Sequence, residues 1–290
     1  MKYSFIICTL NRPNELEQAV RSILKQSYDN FEIIIVDQSL EKNEYIGLLD
    51  RRIRYFHSEN KGLSRNRNIG ISYAMGDYVC IMDDDATYSV DSLKSIDEII
   101  EKTGSEMVGG IIMDPDNKLH YVAGSDKQKE GYITQNEVFS CCSSAALVIL
   151  RELALRIKFD EQLGAGTRWG SGEEIDFILR ALYENNKFYF SPNFVVFHPY
   201  SDKKIMGLEK ANSYSLGYGA LCAKHYYLFH NTYLKKRFYI ALIKHIIALI
   251  VYKIKKDEYL KNFYFTSYKG KKEGFEEYKK VKVYKKSDEV

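Results

Sequence analysis

The run Cys80-Ile-Met-Asp83-Asp84-Asp85-Ala-Thr87 carries an apolar segment straight into three carboxylates. Tyr78 to Met82 reads as a short buried strand. Asp disfavours strands and favours turns, so the chain leaves the sheet at Asp83. In open α/β sheets, ligands sit beyond the carboxyl ends of the strands. Three adjacent carboxylates repel one another unless something positive lies among them. Hard oxygen ligands suit Mg²⁺ or Mn²⁺, ions that usually carry phosphates as well. The competing structural reading is an acidic surface turn that ends a strand, and the triplet alone does not separate the two.

The flanking sequence alternates between strand and helix. Tyr3 to Cys8 reads as a first strand, and Pro13 stands where helices begin, after Asn11. Leu16, Ala19, Val20, Ile23 and Leu24 then form one helical face. Phe31 to Val36 is an apolar strand ending at Asp37, and Ile53 to Phe56 a shorter one. Lys61 to Ala74 is helical in part, Val90 to Ile100 is an amphipathic helix and Met107 to Met113 a further strand. This order predicts an α/β fold, a Rossmann-like and mostly parallel sheet with helices on both faces. Thr9, Asp37 and Asp83 each follow a strand, so the three segments are expected to meet at one edge. No G-x-G-x-x-G opens a helix after the first strand and no G-x-x-x-x-G-K-[ST] occurs, which removes most support for dinucleotide and P-loop sites.

Beyond Asp114 the alternation weakens. Asp114-Pro-Asp-Asn117 reads as a turn and Leu119 to Ala123 as the start of a hairpin strand. Val138 to Cys142 and Ala145 to Leu150 are apolar and read as extended in part. A glycine-rich loop, Gly164-Ala-Gly-Thr-Arg-Trp-Gly-Ser-Gly172, precedes a helix over Glu173 to Tyr183. Phe188 to Phe190 and Phe194 to Phe197 read as two short strands, the second ending at His198-Pro199. Lys204 to Phe229 looks helical. Phe238 to Ile254 is strongly apolar but interrupted by Lys244-His245, too short and too charged to span a bilayer. A helix lying on anionic lipid fits it, and so does a packed helix with a basic rim. Lys279 to Val290 is expected to be a frayed charged tail.

The chain has 290 residues, 28% of them charged, with a net charge of +3. That charge is uneven: residues 235–290 hold 16 Lys and Arg against seven Asp and Glu. The basic residues gather beside an apolar helix, which fits an anionic surface better than nucleic acid. The five Cys form no C-x-x-C, which argues against a zinc site or disulfide framework and for a reducing compartment. The first residues lack the longer apolar core and cleavage site of a signal peptide, so a cytoplasmic protein is expected.

Five pieces, taken together and in order, resemble the inverting glycosyltransferases of family 2, of bacterial surface-polysaccharide type. They are Ser4-Phe-Ile-Ile-Cys-Thr-Leu-Asn-Arg-Pro13, Ile33-Ile-Ile-Val-Asp37, Asn60-Lys-Gly-Leu-Ser-Arg-Asn-Arg-Asn-Ile-Gly70, Ile81-Met-Asp-Asp-Asp85, and Phe159-Asp-Glu-Gln-Leu163 followed by Gly172-Glu-Glu-Ile-Asp-Phe-Ile-Leu-Arg180. The resemblance covers about residues 3–200 and implies a GT-A fold. It implies a nucleotide-sugar donor half over 1–112 and an acceptor and catalytic half over 113–200; the residues beyond, 201–290, read by their own composition as a helical, basic region. By resemblance Asp37 would accept hydrogen bonds from the base, with uracil favoured, and Thr9, Asn11 and Arg12 would line its pocket. Arg67 would approach the base or the diphosphate. Asp83 and Asp85 would take the ribose and a divalent metal, Mn²⁺ or Mg²⁺, with Asp84 nearby. His198 stands where relatives supply another metal contact, and Glu174 would be the general base. The family pattern has Glu-Asp where this chain has Glu173-Glu174, which leaves open which of the two faces the acceptor.

The reaction implied is a single displacement of the nucleoside diphosphate by an acceptor hydroxyl, on a lipid-linked or growing surface glycan. Each role has a structural competitor. Asp37 is also a turn starter, Arg67 a solvated helix charge, and Ser171 with Glu174 a capping box. Trp169 stacks on an acceptor sugar or anchors its loop. Two other functions compete. A sugar nucleotidyltransferase calls for a glycine-rich basic loop after the first strand, which Thr9-Leu-Asn-Arg-Pro13 does not supply. A binding module would keep the nucleotide site without a base. The sequence is silent on oligomeric state.

Overall fold

Strand β1 (Tyr3–Thr9) is buried along its whole length, as expected of a strand with neighbours on both sides and helices on both faces. It pairs in parallel with β2 (Phe31–Asp37) and with β4 (Tyr78–Asp83). β3 (Ile53–His57) extends this parallel group beyond β2. The computed structural model describes residues 1–115, 129–199 and 206–287. The expected hairpin strand over Leu119 to Ala123 lies outside them. Among the described residues the other strands are β5 (Thr87–Tyr88), β6 (Met107–Met113), β7 (Gly131–Tyr132), β8 (Leu147–Leu150) and β9 (Phe188–Phe197). They form one sheet in the order β3-β2-β1-β4-β8-β6-β9-β5, with β7 also on β9. β8 runs antiparallel to both β4 and β6, so the sheet is mixed beyond its parallel group.

Period-two alternation sends the strands' side chains to two faces. Phe5, Ile7, Ile33 and Ile35 pack in one core with Leu16, Val20 and Ile23 of α1 (Pro13–Leu24). Leu93, Ile96 and Ile100 of α3 (Ser92–Thr103) join it. On the other face, α2 (Leu63–Tyr73) comes so close at Gly70 that a Cβ there would lie 2.7 Å from Ile6 Cγ2. Helices therefore cover both faces, as the alternation predicts.

Val138–Cys141 is a short helix, α4, and not the expected extended segment. α5 (Arg151–Ile157) follows β8. The two short strands expected over Phe188 to Phe197 are one strand, β9. Pro192, which has no N–H to give a ladder, is exposed within it. The register against β6 shifts between Gly109 and Ile111.

The chain forms two compact units. Met1–Asp160 with Phe177–Tyr200 holds the sheet, and the other unit, Glu161–Asp176 with Ser201–Val290, has a loop over 161–172 and is mostly helical in its other described residues. The helix α6 (Glu173–Tyr183) begins in the second and ends in the first. Three long helices build the second unit: α7 (Leu208–Phe229), α8 (Thr232–Ile254) and α9 (Glu258–Ser287). The expected frayed tail from Lys279 is therefore helical to Ser287. Glycines bring α7 and α9 to backbone contact. A Cβ on Gly219 would lie 2.1 Å from the Lys271 carbonyl oxygen, and one on Gly274 2.0 Å from that of Leu216.

Candidate active site

Register decides what the ends of the parallel strands present together. Thr9 pairs with Asp37, and Cys8 with both Val36 and Asp83. Thr9, Asp37 and Asp83 thus share the carboxyl edge of the sheet, where each strand leaves for a loop. Asp84 and Asp85 follow on the turn after β4.

The carboxylates there are compensated by cations of the same unit. Arg67 is only 1% exposed and its Nη2 lies 2.9 Å from Asp83 Oδ1. It comes from α2, its charge faces Asp83, and the Phe159 ring lies 5.6 Å from its guanidinium carbon. The solvated-charge reading of Arg67 is thereby removed. The Ser144 hydroxyl adds 3.2 Å hydrogen bonds to both Asp83 oxygens. Arg12, just before α1, donates to Asp84 at 3.0 Å and to Asp85 at 2.8 Å. The Thr9 hydroxyl donates to the other Asp84 oxygen at 2.8 Å. Burial, with Asp85 alongside, raises the Asp84 carboxyl above the usual range despite Thr9 and Arg12.

His198 follows β9, and its Nε2 sits 2.9 Å from Asp85 Oδ1. Its Nδ1 lies 2.9 Å from the Pro199 carbonyl oxygen, which only an N–H can satisfy. Burial disfavours the imidazolium, but Asp85 outweighs it and the pKa of His198 is raised. Burial likewise opposes the Asp85 carboxylate, yet His198 and Arg12 pull it down to about 2.

Arg12 and Arg67 are therefore the positive charges that the acidic triplet calls for, with His198 a third when protonated, and repulsion among the three Asp does not itself require a metal. Among the described residues no group of three or more His, Cys, Asp and Glu is arranged to hold an ion. The donor chemistry at Asp85 and His198 nevertheless fits one. With the Nδ1 proton committed to Pro199, Nε2 of a neutral ring turns a lone pair toward a carboxylate oxygen. A proton or a cation must lie between them.

Asp37 is 1% exposed. One of its oxygens accepts from the Ser39 N–H at 2.8 Å, the turn expected of a strand-ending Asp. The other accepts from the Tyr55 hydroxyl at 2.7 Å. Burial and Asp37 together push the Tyr55 phenol up to about 12. Asn11 is exposed, adopts a left-handed φ of 56°, and its N–H donates to Ser39 Oγ at 2.7 Å. That φ suits Asn better than most residues and turns the chain from β1 toward α1.

In the helical unit, the Gly172 carbonyl accepts the first helical bond of α6, from Asp176 N at 2.9 Å. Glu174 is thus the second helical residue, one short of the capping-box position. The Ser171 hydroxyl donates to the Tyr214 carbonyl at 2.8 Å. Glu173, Glu174 and Asp176 all lie in the first turn, where the helix dipole favours carboxylates. Glu173 is buried and Glu174 half-buried. Trp169 is 6% exposed with its ring 5.1 Å from that of Tyr278, so it anchors its loop.

Sequence reasoning missed the strongest charge cluster of this unit. Asp176 is fully buried, with Lys224 Nζ 2.5 Å and His225 Nε2 3.1 Å from its Oδ1. The available signal was Lys224-His225 after the apolar Leu221-Cys-Ala run, a polar pair on a helix with buried neighbours. Tyr55 and Ser144 were missed as well, and no local pattern marks them.

Residues 4–157 match the family model described as Glycosyl transferase family 2. An uncharacterized glycosyltransferase of Rickettsia felis is 38% identical over 97 residues, which are 32% of this chain but only 16% of that protein. A Campylobacter jejuni protein named GalNAc(5)-diNAcBac-PP-undecaprenol beta-1,3-glucosyltransferase is 25% identical over 239 residues, covering 76% of this chain and 72% of its own length. The crystal structure of S. aureus TarS 1-349 in complex with UDP superposes with a TM-score of 0.59 at 17% identity, over 97% of this chain and 92% of that one. At that identity the likeness is one of fold, the GT-A arrangement.

Proposed function

The chain belongs to glycosyl transferase family 2, and on that footing we propose that it is an inverting transferase. It moves a sugar from a nucleotide-diphosphate sugar, with uridine as the nucleoside, to a hydroxyl of a lipid-linked or polysaccharide acceptor. One observation carries this reading. The acidic turn after β4, the end of β2 and the loop after β1 converge with Arg12, Arg67 and His198 at the carboxyl edge of the sheet. The UDP of the TarS complex and the undecaprenol acceptor in the Campylobacter relative's name support the choice of donor and acceptor.

In this reading Asp37 accepts from the base, and Thr9, Asn11 and Arg12 shape its pocket. Asp83 and Asp84 face the ribose and the diphosphate, with Arg67 holding Asp83 in place. Asp85 and His198, joined by Asp83 on a rearrangement that brings the three around one point, would hold a divalent ion, Mn²⁺ or Mg²⁺, whose charge would offset that of the departing diphosphate. Glu174, or its neighbour Glu173, takes the proton of the acceptor hydroxyl. Direct attack from the face opposite the diphosphate inverts the anomeric centre. Residues 1–112 serve the donor and 113–200 the acceptor. Residues 201–290 keep the enzyme on the cytoplasmic face of a membrane as a peripheral protein.

UDP binding by calorimetry, with Mn²⁺ and with chelator, tests the donor site. Native protein is expected to bind in a metal-dependent way and Asp85→Ala to lose that dependence. Absence of UDP binding under both conditions would refute the uridine site. Glu174→Gln and Glu173→Gln are expected to retain UDP binding, with transfer lost in whichever carries the base. Full transfer in both variants would refute the assignment of the base.

A further inference from the structure

We propose that the outward face of α8, with the groove between α8 and α9, seats the protein in the surface of an anionic phospholipid bilayer. Tyr239, Ile240, Ile243, Ile246, Ile247, Ile250 and Ile254 are between 41% and 75% exposed. Their spacings of one, three and four follow the 3.6-residue period, so they form a continuous stripe along the helix. Leu234, Phe238 and Leu242 are the buried residues of the opposite side. A stripe of exposed isoleucines this long is foreign to a surface that meets only water.

Charge names the partner. Between Thr232 and Lys256 the chain carries seven Lys and Arg and no Asp or Glu. On the helical period Lys244 and Lys255 flank one side of the stripe and Lys235 and Lys253 the other. A second copy seated here across a two-fold axis would oppose like charges. An anionic headgroup layer above an apolar interior matches both the stripe and its borders. Among the described residues no helix is long and apolar enough to cross a membrane, so α8 lies in the interface plane.

Beside the stripe is a groove of about 370 Å³ lined by Leu249, Ile250, Lys253, Lys261, Asn262 and Phe265. Its apolar wall suits an acyl chain, and the Lys253 ammonium at its rim suits a phosphate, while Lys261 is paired with Glu258. Phe265, 57% exposed, extends the apolar surface onto α9.

This inference deepens the membrane part of the proposed function, but lipid capture requires neither donor nor acceptor. The full chain is mixed with phosphatidylcholine vesicles, with and without phosphatidylglycerol, and floated on a gradient. Capture is expected only with phosphatidylglycerol and is expected to fall as salt rises. Ile243→Glu with Ile247→Glu should cut capture about tenfold or more. Lys253→Gln should cut it about fivefold. UDP calorimetry on the same variants, unchanged from native, separates this test from that of the transfer reading and shows the variants to be folded. Equal capture by neutral vesicles, or no loss in the isoleucine variant, would overturn the proposal. So would a lipid-free dimer, seen by light scattering, that the isoleucine variant splits into monomers.

Discussion

The sheet edge and the helical unit handle charge in opposite ways. At the edge, three consecutive Asp share cations from distant segments, and two of them are partly open to solvent: Asp83 is 28% exposed and Asp85 24%, with Asp84 buried between them. In the helical unit, Asp176 is wholly enclosed with Lys224 and His225, while the outward face of α8 carries cations with no acid among them. A half-open cluster can exchange its partners for a ligand, because water already shares in its solvation. An enclosed pair has nothing to exchange with and serves the fold.

The largest expected effect tests the enclosed side. Asp176→Ala leaves Lys224 and His225 buried without their carboxylate and should cost about 3–5 kcal/mol in urea unfolding. A loss below about 1 kcal/mol would mean that water solvates the pair after all. The next probes the packing that encloses it. Gly219→Ala pushes a methyl against the Lys271 carbonyl and should cost about 3 kcal/mol, because backbone and not a flexible side chain must yield. A neutral result would mean that α7 and α9 part easily. The smallest falls at the sheet edge, where Arg67 is itself buried but its partner Asp83 is 28% exposed. Arg67→Met keeps the buried volume but removes the cation from Asp83, and water can take over part of its role. About 2 kcal/mol is expected. If this loss equals that of Asp176→Ala, the distinction between open and enclosed clusters fails.

Much of the sheet edge was legible because its signals are local. Apolar runs that stop at Thr9, Asp37 and Asp83 mark strand ends, and the crossover helices between them force the strands parallel. The helical unit was less legible. α9 has aromatic and small residues where an amphipathic helix usually shows aliphatic ones, and Gly270 and Gly274 look like breakers. They are in fact places where α7 comes close, a property of two helices that neither sequence window contains. The capping box at Ser171 failed for a related reason. Gly172, with its φ of 94°, turns the chain into α6 one residue later than the motif assumes.

From the sequence alone come the main strands and helices up to Met113, the two-faced sheet and the convergence of three strand ends, because periods of 2.0 and 3.6 residues are written within short windows. The same windows show an apolar, basic segment at Phe238 to Ile254, but not which of its sides stays uncovered. That the isoleucines face outward is decided by the packing of Leu234, Phe238 and Leu242. The partners of the charges were likewise decided only in three dimensions. Arg12 reaches Asp84 across 72 positions and Asp176 meets His225 across 49. An ion pair depends on distance in space, and a carboxylate's sequence neighbours say nothing of which cation the fold will bring to it.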